Sequence, residues 1–417
     1  MKKFFNLTTA ILIGALSLTA CSDDNNETTD DMYKDRSYGT EAMDACDQVV
    51  KELTSANNLI VTADFTTENG QMQEAFLRQV LCDLVDKVIV PTYTQLADDV
   101  ESLEATLHGL TTTTITQAQI DKACADFKKA RMHWERSEAF LMGAASDFSI
   151  DPTIDSWPLD RQELLDYFKG GMTAQIEEES SILGFHALEF ILFRNGQNRK
   201  VAELQGNDTY TGFQSVSGAD ELKYAQRVCT LLKERCFQLQ VAWEGETNAE
   251  RAAVVQKAGL SYQTENGLSY GDNLKEAGVN SMSTFTTIQD AISQVLSDTE
   301  GSCVGIANEV GTAKIANPFS AGDIAYVESP YSYNSITDFQ DNIRSIRNIW
   351  LGSLDGNKAA NSFAKFFERV NAKTGVENAV ANAIDKIGRM PAPFVKYCSM
   401  VWGKDFNDPD NWESESE

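Results

Sequence analysis

Histidine is scarce in this 417-residue chain, which contains 3 His, 8 Pro and 8 Cys. No two cysteines have CxxC spacing, and so few histidines leave a zinc-finger interpretation without support. The net charge of -27 argues against nucleic acid or anionic lipid headgroups as partners, because both repel an acidic surface. Beyond the first 20 residues, no run of the sequence is long and apolar enough to predict a membrane span.

Residues 1–20 have the pattern of a secretory signal peptide, with Lys2 and Lys3 ahead of a short apolar run. The run ends in Leu18-Thr19-Ala20-Cys21, which resembles a bacterial lipobox. We therefore expect cleavage before Cys21 and lipid on its thiol, which would anchor the protein to a membrane. An ordinary signal peptide followed by a chance cysteine is the alternative.

Residues 21–40 begin with a polar, acidic stretch that cannot bury enough apolar surface to fold, which predicts a disordered tether. The acids directly after Cys21 also resemble the surface-export signal of Bacteroidetes lipoproteins, so we expect an outer-membrane lipoprotein exposed at the cell surface. A solvated linker would have the same composition. At the other end, residues 407–417 form an acidic tail that should fray. The seven cysteines after Cys21 should be mostly buried thiols, with at most one or two disulfides.

Apolar residues recur at spacings of three and four, which predicts an all-α protein. The predicted helices cover residues 90–107, 117–145, 173–194, 221–244, 281–297, 335–351, 357–371 and 376–387. Residues 195–218 are rich in Gly, Asn and Thr and read as a long loop. The length and this loop predict two helical bundles, an N-terminal domain over 41–212 and a C-terminal domain over 213–406, although no repeat is strong enough to establish a duplication.

His186 and Glu189 lie in the most apolar of these segments, SILGFHALEFILF. Their spacing of three places both side chains on one helix face. Burying an imidazole and a carboxylate without partners would cost several kcal/mol, so a metal ion, a ligand or a polar network must satisfy them. Spacing alone leaves a hydrogen-bonded structural pair as an equal alternative.

Glu138 continues the apolar stripe of the preceding predicted helix and should point inward, as in helical bundles that build carboxylate-rich metal sites. The alternative is an ion pair with a neighbour such as Arg131. Asp155 lies in the loop between these helices, where it either reaches the same cleft or caps the next helix.

Three segments together resemble the imelysin-like family. Gly184-Phe185-His186-Ala187-Leu188-Glu189 fits its GxHxxE motif, and Trp134 to Phe140 followed by Ile154 to Pro158 resembles its upstream signature. The segment from Asp338 to Gly352 resembles its second half. The resemblance implies two helical bundles with a pocket near their junction. It places His186, Glu189 and Glu138 as metal ligands and lines the pocket with Ser137, Asp155, Trp157, Gly184, Arg344 and Arg347.

The family is named for an insulin-cleaving protease, and its members are also associated with iron or haem uptake. A zinc peptidase site is hard to assemble here, because there is no HExxH and His108 and His133 are poorly placed to be second ligands. One histidine with several carboxylates suits a harder ion such as iron or manganese, or a small iron-containing ligand, better than a thiol-rich site would, and we expect iron before zinc. We therefore expect a protein that binds iron, haem or a related small ligand for uptake, with an outer-membrane partner. The alternatives are a metal-dependent endopeptidase and an unidentified ligand or adhesion role.

Overall fold

The computed structural model describes residues 27–174, 176, 181–297, 299–320 and 326–398, with side chains described from residue 37 onward and at all of these positions except 320. The predicted signal peptide, Cys21 and the acidic tail lie outside the described residues. Among the helices of the described part, none combines the length and the apolar character that a membrane crossing requires.

Most residues of the described chain are helical, and its two strands have two residues each. The first nine helices are α1 (Glu27–Val61), α2 (Glu68–Leu84), α3 (Val90–His108), α4 (Gln117–Glu135), α5 (Ala144–Asp147), α6 (Asp151–Ile154), α7 (Arg161–Lys169), α8 (Gly184–Leu192) and α9 (Val201–Gln205). The others are α10 (Gly218–Glu244), α11 (Ala249–Lys257), α12 (Tyr270–Lys275), α13 (Ile288–Leu296), α14 (Cys303–Glu309), α15 (Asn317–Ser320), α16 (Ser335–Leu351), α17 (Phe363–Arg369) and α18 (Val376–Gly388). The all-α prediction is thereby confirmed.

Short irregular helices connect several of these elements. π-helical turns at Val85–Ile89 and Val310–Ala316 join α2 to α3 and α14 to α15, and a 3₁₀ turn at Glu138–Phe140 follows α4. A two-residue hairpin pairs β1 (Phe193–Arg194) with β2 (Gln197–Asn198) through Asn195 and Gly196, which both have positive φ. Asn-Gly is the usual sequence of such a turn.

The packing does not follow the predicted division between residues 212 and 213. Helix α10 lies after that point but packs against α3 and α8 before it, and α1 packs against α18 from the far end of the chain. Helix α16 in turn contacts α4 and α18. One contiguous apolar core runs from Ala42 to Cys398, so the two halves of the sequence are interleaved rather than separate.

Several predicted element boundaries are wrong. The helices predicted over 281–297 and 357–371 are shorter, at Ile288–Leu296 and Phe363–Arg369, and the predicted loop over 195–218 contains α9. The predicted tether extends to residue 40, but α1 begins at Glu27 and Gly39 is already buried beneath Phe319. Helix α4 ends at Glu135 instead of continuing to residue 145, because the chain turns at Arg136 and the Ser137 hydroxyl donates to the Trp134 carbonyl at 2.7 Å.

Another wrong boundary concerns the predicted helix over 173–194. Among its described residues, only Gly184–Leu192 form an α-helix. Leu183 is extended and Gly184 has a φ of +72°, a conformation that a continuous α-helix does not contain. At the other end, Phe193 leaves the helix in an extended conformation and enters the hairpin.

Candidate metal centre

Three separate segments meet at His186. Helix α8 carries His186, the residue after α6 is Asp155, and the segment leading into α16 carries Glu328. Gly184 brings the first two together, because a Cβ at this position would lie 1.9 Å from the Ile154 carbonyl oxygen. The glycine of the motif therefore permits a backbone contact that sets His186 beside Asp155.

The imidazole of His186 is enclosed by carboxylates. Its Nε2 lies 3.1 Å from Asp155 Oδ1 and 3.1 Å from Glu328 Oε1, and its Nδ1 lies 3.8 Å from Glu189 Oε2. The residue is 2% exposed, yet Nε2 has no partner with hydrogen-bond geometry among the described residues. Burial opposes a charged ring, but the charge of Asp155 and the polar contacts with Asp155 and Glu189 together outweigh it and raise the pKa of His186 well above its ordinary value.

Glu189 lies on the opposite side of the ring from these two carboxylates. Its Oε1 accepts hydrogen bonds from the backbone N–H groups of Tyr331 at 3.2 Å and Ser332 at 2.7 Å, and from the Ser332 hydroxyl at 2.6 Å. Among the described residues, it belongs to none of the groups of three side chains that could hold a metal. Glu189 thus fixes the segment that follows Glu328, while its Oε2 faces Nδ1 from beyond hydrogen-bond distance and has no hydrogen-bond partner in the described chain. This arrangement differs from the predicted role as a ligand.

A larger group of buried acids surrounds the same point. Five carboxylates and His186 form three overlapping groups in which the ligand atoms lie within 4.8 Å of one another. We call these five residues the carboxylate cage: Glu135, Glu138, Asp155, Glu328 and Asp338. Glu328 and Glu135 each belong to two groups, so they connect the histidine side of the cage to its far side.

Arg131 is the central cation of the cage. The guanidinium is 1% exposed, contacts Asp155 and Glu328, and lies 2.6 Å from Glu135 Oε1. The predicted alternative for Arg131 was a pair with Glu138, but the structure pairs it with these three acids instead. A planar guanidinium can contact several carboxylates at fixed angles, so Arg131 holds Asp155 and Glu328 in place beside His186.

Glu138 is buried, but it does not reach His186. The 3₁₀ turn after α4 points it toward Lys314, whose Nζ lies 4.0 Å from Glu138 Oε1 and 3.4 Å from Glu328 Oε2. Burial raises the pKa of Glu138 well above its ordinary value, and Lys314 only partly offsets this. Glu138 therefore shares a metal-capable group with Glu135 and Asp155 rather than with the histidine.

A cavity of about 830 Å³ opens onto the cage. Asp155, Glu138 and Glu328 line its inner end, together with Lys314, whereas His186 is absent from its wall. Trp157, Tyr210 and Phe213 line other parts of it. A solute entering the cavity would therefore meet the carboxylates of the candidate site before the imidazole.

Four of the predicted pocket residues do not line this cavity. Ser137 binds the Trp134 carbonyl, and Gly184 is covered by the Ile154 backbone. Arg344 donates to Asp341 Oδ1 at 2.8 Å, and the nearest partner of Arg347 is Asn348 at 3.4 Å. The two arginines extend from α16 away from the cage, so of the predicted pocket set only Asp155 and Trp157 contribute to the wall.

Sequence reasoning missed Glu328, Glu135 and Lys314. Glu328 lies 142 residues beyond His186 in a segment without helical periodicity, and nothing in its local sequence marks it. Glu135 directly follows Trp134 in the upstream signature. Glu135 is buried on the side of α4 that faces α16, and helical spacing could have predicted this burial from the sequence. Lys314 lies in the π-helical turn, where the helical period is broken.

The donor set is suitable for a metal ion. Asp155, His186 and Glu328 offer one nitrogen and two carboxylate oxygens, the mixture that iron, manganese and zinc accept. Asp155 Oδ1 and Glu328 Oε1, the two oxygens that face Nε2, also contact Arg131. Of the second oxygens, Asp155 Oδ2 accepts from the Trp134 indole N–H at 2.8 Å, and Glu328 Oε2 lies 3.4 Å from Lys314 Nζ. Nε2 is the ring atom that such an ion would bind, in place of its proton.

Comparison with known proteins identifies the family of this chain. The imelysin (peptidase M75) family model matches residues 89–409. A curated relative, iron-regulated protein A of Synechococcus elongatus, is 26% identical over 338 residues, which cover 80% of this chain and 82% of the relative. A crystal structure of a putative iron-regulated protein A precursor from Parabacteroides distasonis shares the fold, with a TM-score of 0.62 at 23% identity over 81% of this chain and 90% of that one. Because the family model covers most of the sequence, this chain belongs to the imelysin family.

Proposed function

We propose that this imelysin-family protein binds iron, as an ion or within a small chelate such as haem, and presents it for uptake at the cell envelope. The observation that carries the proposal is the position of His186 Nε2, which lies 3.1 Å from one oxygen of Asp155 and 3.1 Å from one of Glu328 without hydrogen-bond geometry to either. A metal ion bound to all three atoms would satisfy the buried nitrogen and would share the two carboxylate oxygens with Arg131.

The choice of iron rests on donor chemistry and on the relatives. A donor set of one imidazole nitrogen and carboxylate oxygens suits iron or manganese better than a donor set rich in thiols does. Zinc is a weaker candidate than iron. The curated relative and the matched crystal structure are both named as iron-regulated proteins. Transferred to this chain, that name supports a role in iron supply.

The cavity supports capture of a ligand larger than a bare ion. It measures about 830 Å³, within the range typical of small-molecule sites. Asp155 and Glu328 lie at its inner end, while Trp157, Tyr210 and Phe213 offer aromatic surface elsewhere. An organic chelator or a haem could therefore contact the aromatic wall while its iron faces the carboxylates.

Anchoring at the outer membrane is part of the same proposal. It is supported by the apolar run that ends at Cys21 and by the acids that follow it. A lipid on Cys21 would hold the protein at the cell surface, where an outer-membrane uptake partner could receive the iron. Replacing Cys21 with Ala should abolish incorporation of labelled fatty acid and release the protein from the membrane fraction.

The decisive experiment measures metal binding by the purified protein. Fe²⁺ under anaerobic conditions, Mn²⁺, Zn²⁺ and haem are each titrated into wild type, His186→Gln and Glu328→Gln. The matched control is Glu221→Gln, because Glu221 is equally buried and bonds Arg199 at 2.7 and 3.0 Å but belongs to no metal-capable group. The Glu221→Gln variant loses a buried carboxylate charge but keeps all of the proposed metal-binding residues.

We expect one iron per chain in wild type and in Glu221→Gln, and binding weakened by about 100-fold or more in the two ligand variants. No iron or haem binding in wild type, or equal binding in all four proteins, would refute the assignment. If metal-dependent cleavage of a denatured protein appears and disappears with Glu328→Gln, the endopeptidase alternative is correct instead.

A further inference from the structure

A second cavity lies beside the metal cavity. It measures about 560 Å³, and the end of α10, the α12 region and residues 142–147 contribute to its wall. Three aromatic side chains line it, Trp243, Tyr270 and Phe285. Nothing in the proposed iron function uses this cavity.

The aromatic rings of this second cavity are held in fixed positions. Trp243 and Tyr270 have centroids 6.2 Å apart at an interplanar angle of 45°. Trp243 also stacks on Tyr93 at 6.3 Å, and Phe148 meets the Tyr270 ring edge to face at 5.8 Å. Gly143 makes room for this arrangement, since a Cβ there would lie 2.7 Å from Tyr270 Cδ1. The two ring faces are therefore preorganised rather than mobile.

The charged residues of the second cavity are all acidic. Asp147, Glu265 and Glu300 line it, and no Lys, Arg or His is among its described lining residues. These three acids are solvent-exposed and take part in none of the metal-capable groups found in the described chain. Their separation argues against a bare metal ion, and their charge repels an anion.

We propose that this cavity binds a small organic ammonium ion. An ammonium ion is attracted both to aromatic faces and to carboxylates, and an aromatic cage is the usual form of a site for quaternary ammonium groups. Trp243, Tyr270 and Phe285 supply the rings, and the acids of the wall supply the negative charge. The ligand class is thus a small organic amine in its protonated form or its quaternary analogue.

The two cavities are neighbours that can be tested separately. Glu300 lines both of them, and the Met142 N–H donates to the Gly301 carbonyl at 3.2 Å in the wall between them. The aromatic residues Trp243, Tyr270 and Phe285 belong to the second cavity alone. Variants confined to these residues or to Asp147 and Glu265 leave the metal cage untouched, and Asn at position 147 keeps an oxygen that can accept the 2.7 Å hydrogen bond from the Tyr270 hydroxyl.

The test compares choline with 3,3-dimethylbutan-1-ol, which has the same shape and hydroxyl but no charge. Both are titrated into the purified protein by calorimetry and by tryptophan fluorescence. We expect choline to bind at least about tenfold more tightly than the neutral alcohol, because only the cation gains from the rings and carboxylates. Equal affinities, or no binding of choline, would overturn the proposal.

Two variants separate the sources of affinity. Phe285→Leu keeps an apolar side chain but removes one π face, and Asp147→Asn combined with Glu265→Gln removes two exposed charges without opening the core. Each should weaken choline several-fold and leave the neutral alcohol unchanged. The control is Glu250→Gln, an exposed acid on α11 outside the cavity, which should change neither. If the control weakens choline as much as the double variant does, the effect is one of overall charge and the site assignment fails.

Discussion

Gly184→Ala is the sharpest test of how the fold builds the metal centre. The residue has a φ of +72°, and an added Cβ would lie 1.9 Å from the Ile154 carbonyl oxygen, whereas real Cβ atoms essentially never approach within 3.0 Å. The start of α8 must therefore move away from Ile154 by more than about 1 Å, since backbone atoms cannot yield as a flexible side chain can. Asp155 follows Ile154 directly, so this movement separates it from His186.

The expected loss of stability has two parts. A left-handed conformation costs an alanine about 1–2 kcal/mol, and the steric displacement in a packed core adds about 1–3 kcal/mol. For a chain of this length, an unfolding entropy of about 2.1 cal/mol/K per residue converts a total of about 3 kcal/mol into a fall in Tm of about 4 °C. Metal affinity should fall by about 100-fold, because a ligand misplaced by about 1 Å loses most of its contribution.

Gly259→Ala is the matched control. Its φ is +73°, but no atom lies within 4 Å of the added Cβ, so it reports the conformational cost alone. We expect a loss of about 1 kcal/mol and unchanged metal binding. Differential scanning calorimetry and metal titration of both variants separate the two contributions. If Gly184→Ala is as stable as Gly259→Ala and binds metal like wild type, the contact with Ile154 does not position the site.

Three further predictions concern the core and the cage. Of the seven cysteines that follow Cys21, only Cys82 is partly exposed, so a thiol reagent should modify Cys82 alone in the folded protein. The Cys82→Ser variant should therefore lack the fast phase of the modification reaction. Burial works against the charge of Asp99, but hydrogen bonds from His133 and Lys129 lower the pKa of its carboxyl group. The Asp99 carboxylate therefore stabilises the fold above pH 4, and this stabilisation disappears as the pH falls through the lowered pKa. Asp99→Asn should therefore cost about 1–2 kcal/mol in urea unfolding at pH 7 and progressively less below pH 4, and a pH-independent difference would contradict this. The Arg131→Met variant should have a lower Tm than wild type. Added Mn²⁺ should raise the Tm of the variant by more than it raises the Tm of wild type, because the ion replaces the missing positive charge. An equal rise in both proteins would argue against this explanation.

The sequence predicted the helices best where one amphipathic stripe runs unbroken. Helix α16 has the predicted bounds of 335–351, and α18 differs from its prediction by one residue. The ends of α4 and α8 could not be predicted in this way. They depend on a turn at Arg136 and on the approach of Gly184 to another segment, and periodicity contains no information about either contact.

The same limit explains what was found and missed in the site. The family motif located His186, and the upstream signature located Asp155, which the structure places 3.1 Å apart. Glu189 was interpreted as a ligand because a spacing of three gives a shared helix face, yet its Oε1 is occupied by Tyr331 and Ser332. Glu328 completes the group from a non-helical segment, so only the tertiary structure could reveal it.

Charge balance distinguishes the cage from an ordinary structural ion-pair cluster. Elsewhere in the fold, Arg194 and Arg199 face Asp208 and Glu221, two cations against two buried carboxylates. In the cage, five carboxylates face two cations, Arg131 and Lys314, and His186 lies beside them. Burial raises the pKa of Glu135 to about 7 despite the neighbouring arginine. Buried ion pairs barely offset their desolvation even when balanced, so an excess of acids costs the fold stability. The balanced cluster is complete without a ligand, whereas the cage must take up protons or a cation. Burial raises the pKa of Glu135, Glu138 and Asp338, so binding of a metal ion to the cage should release protons.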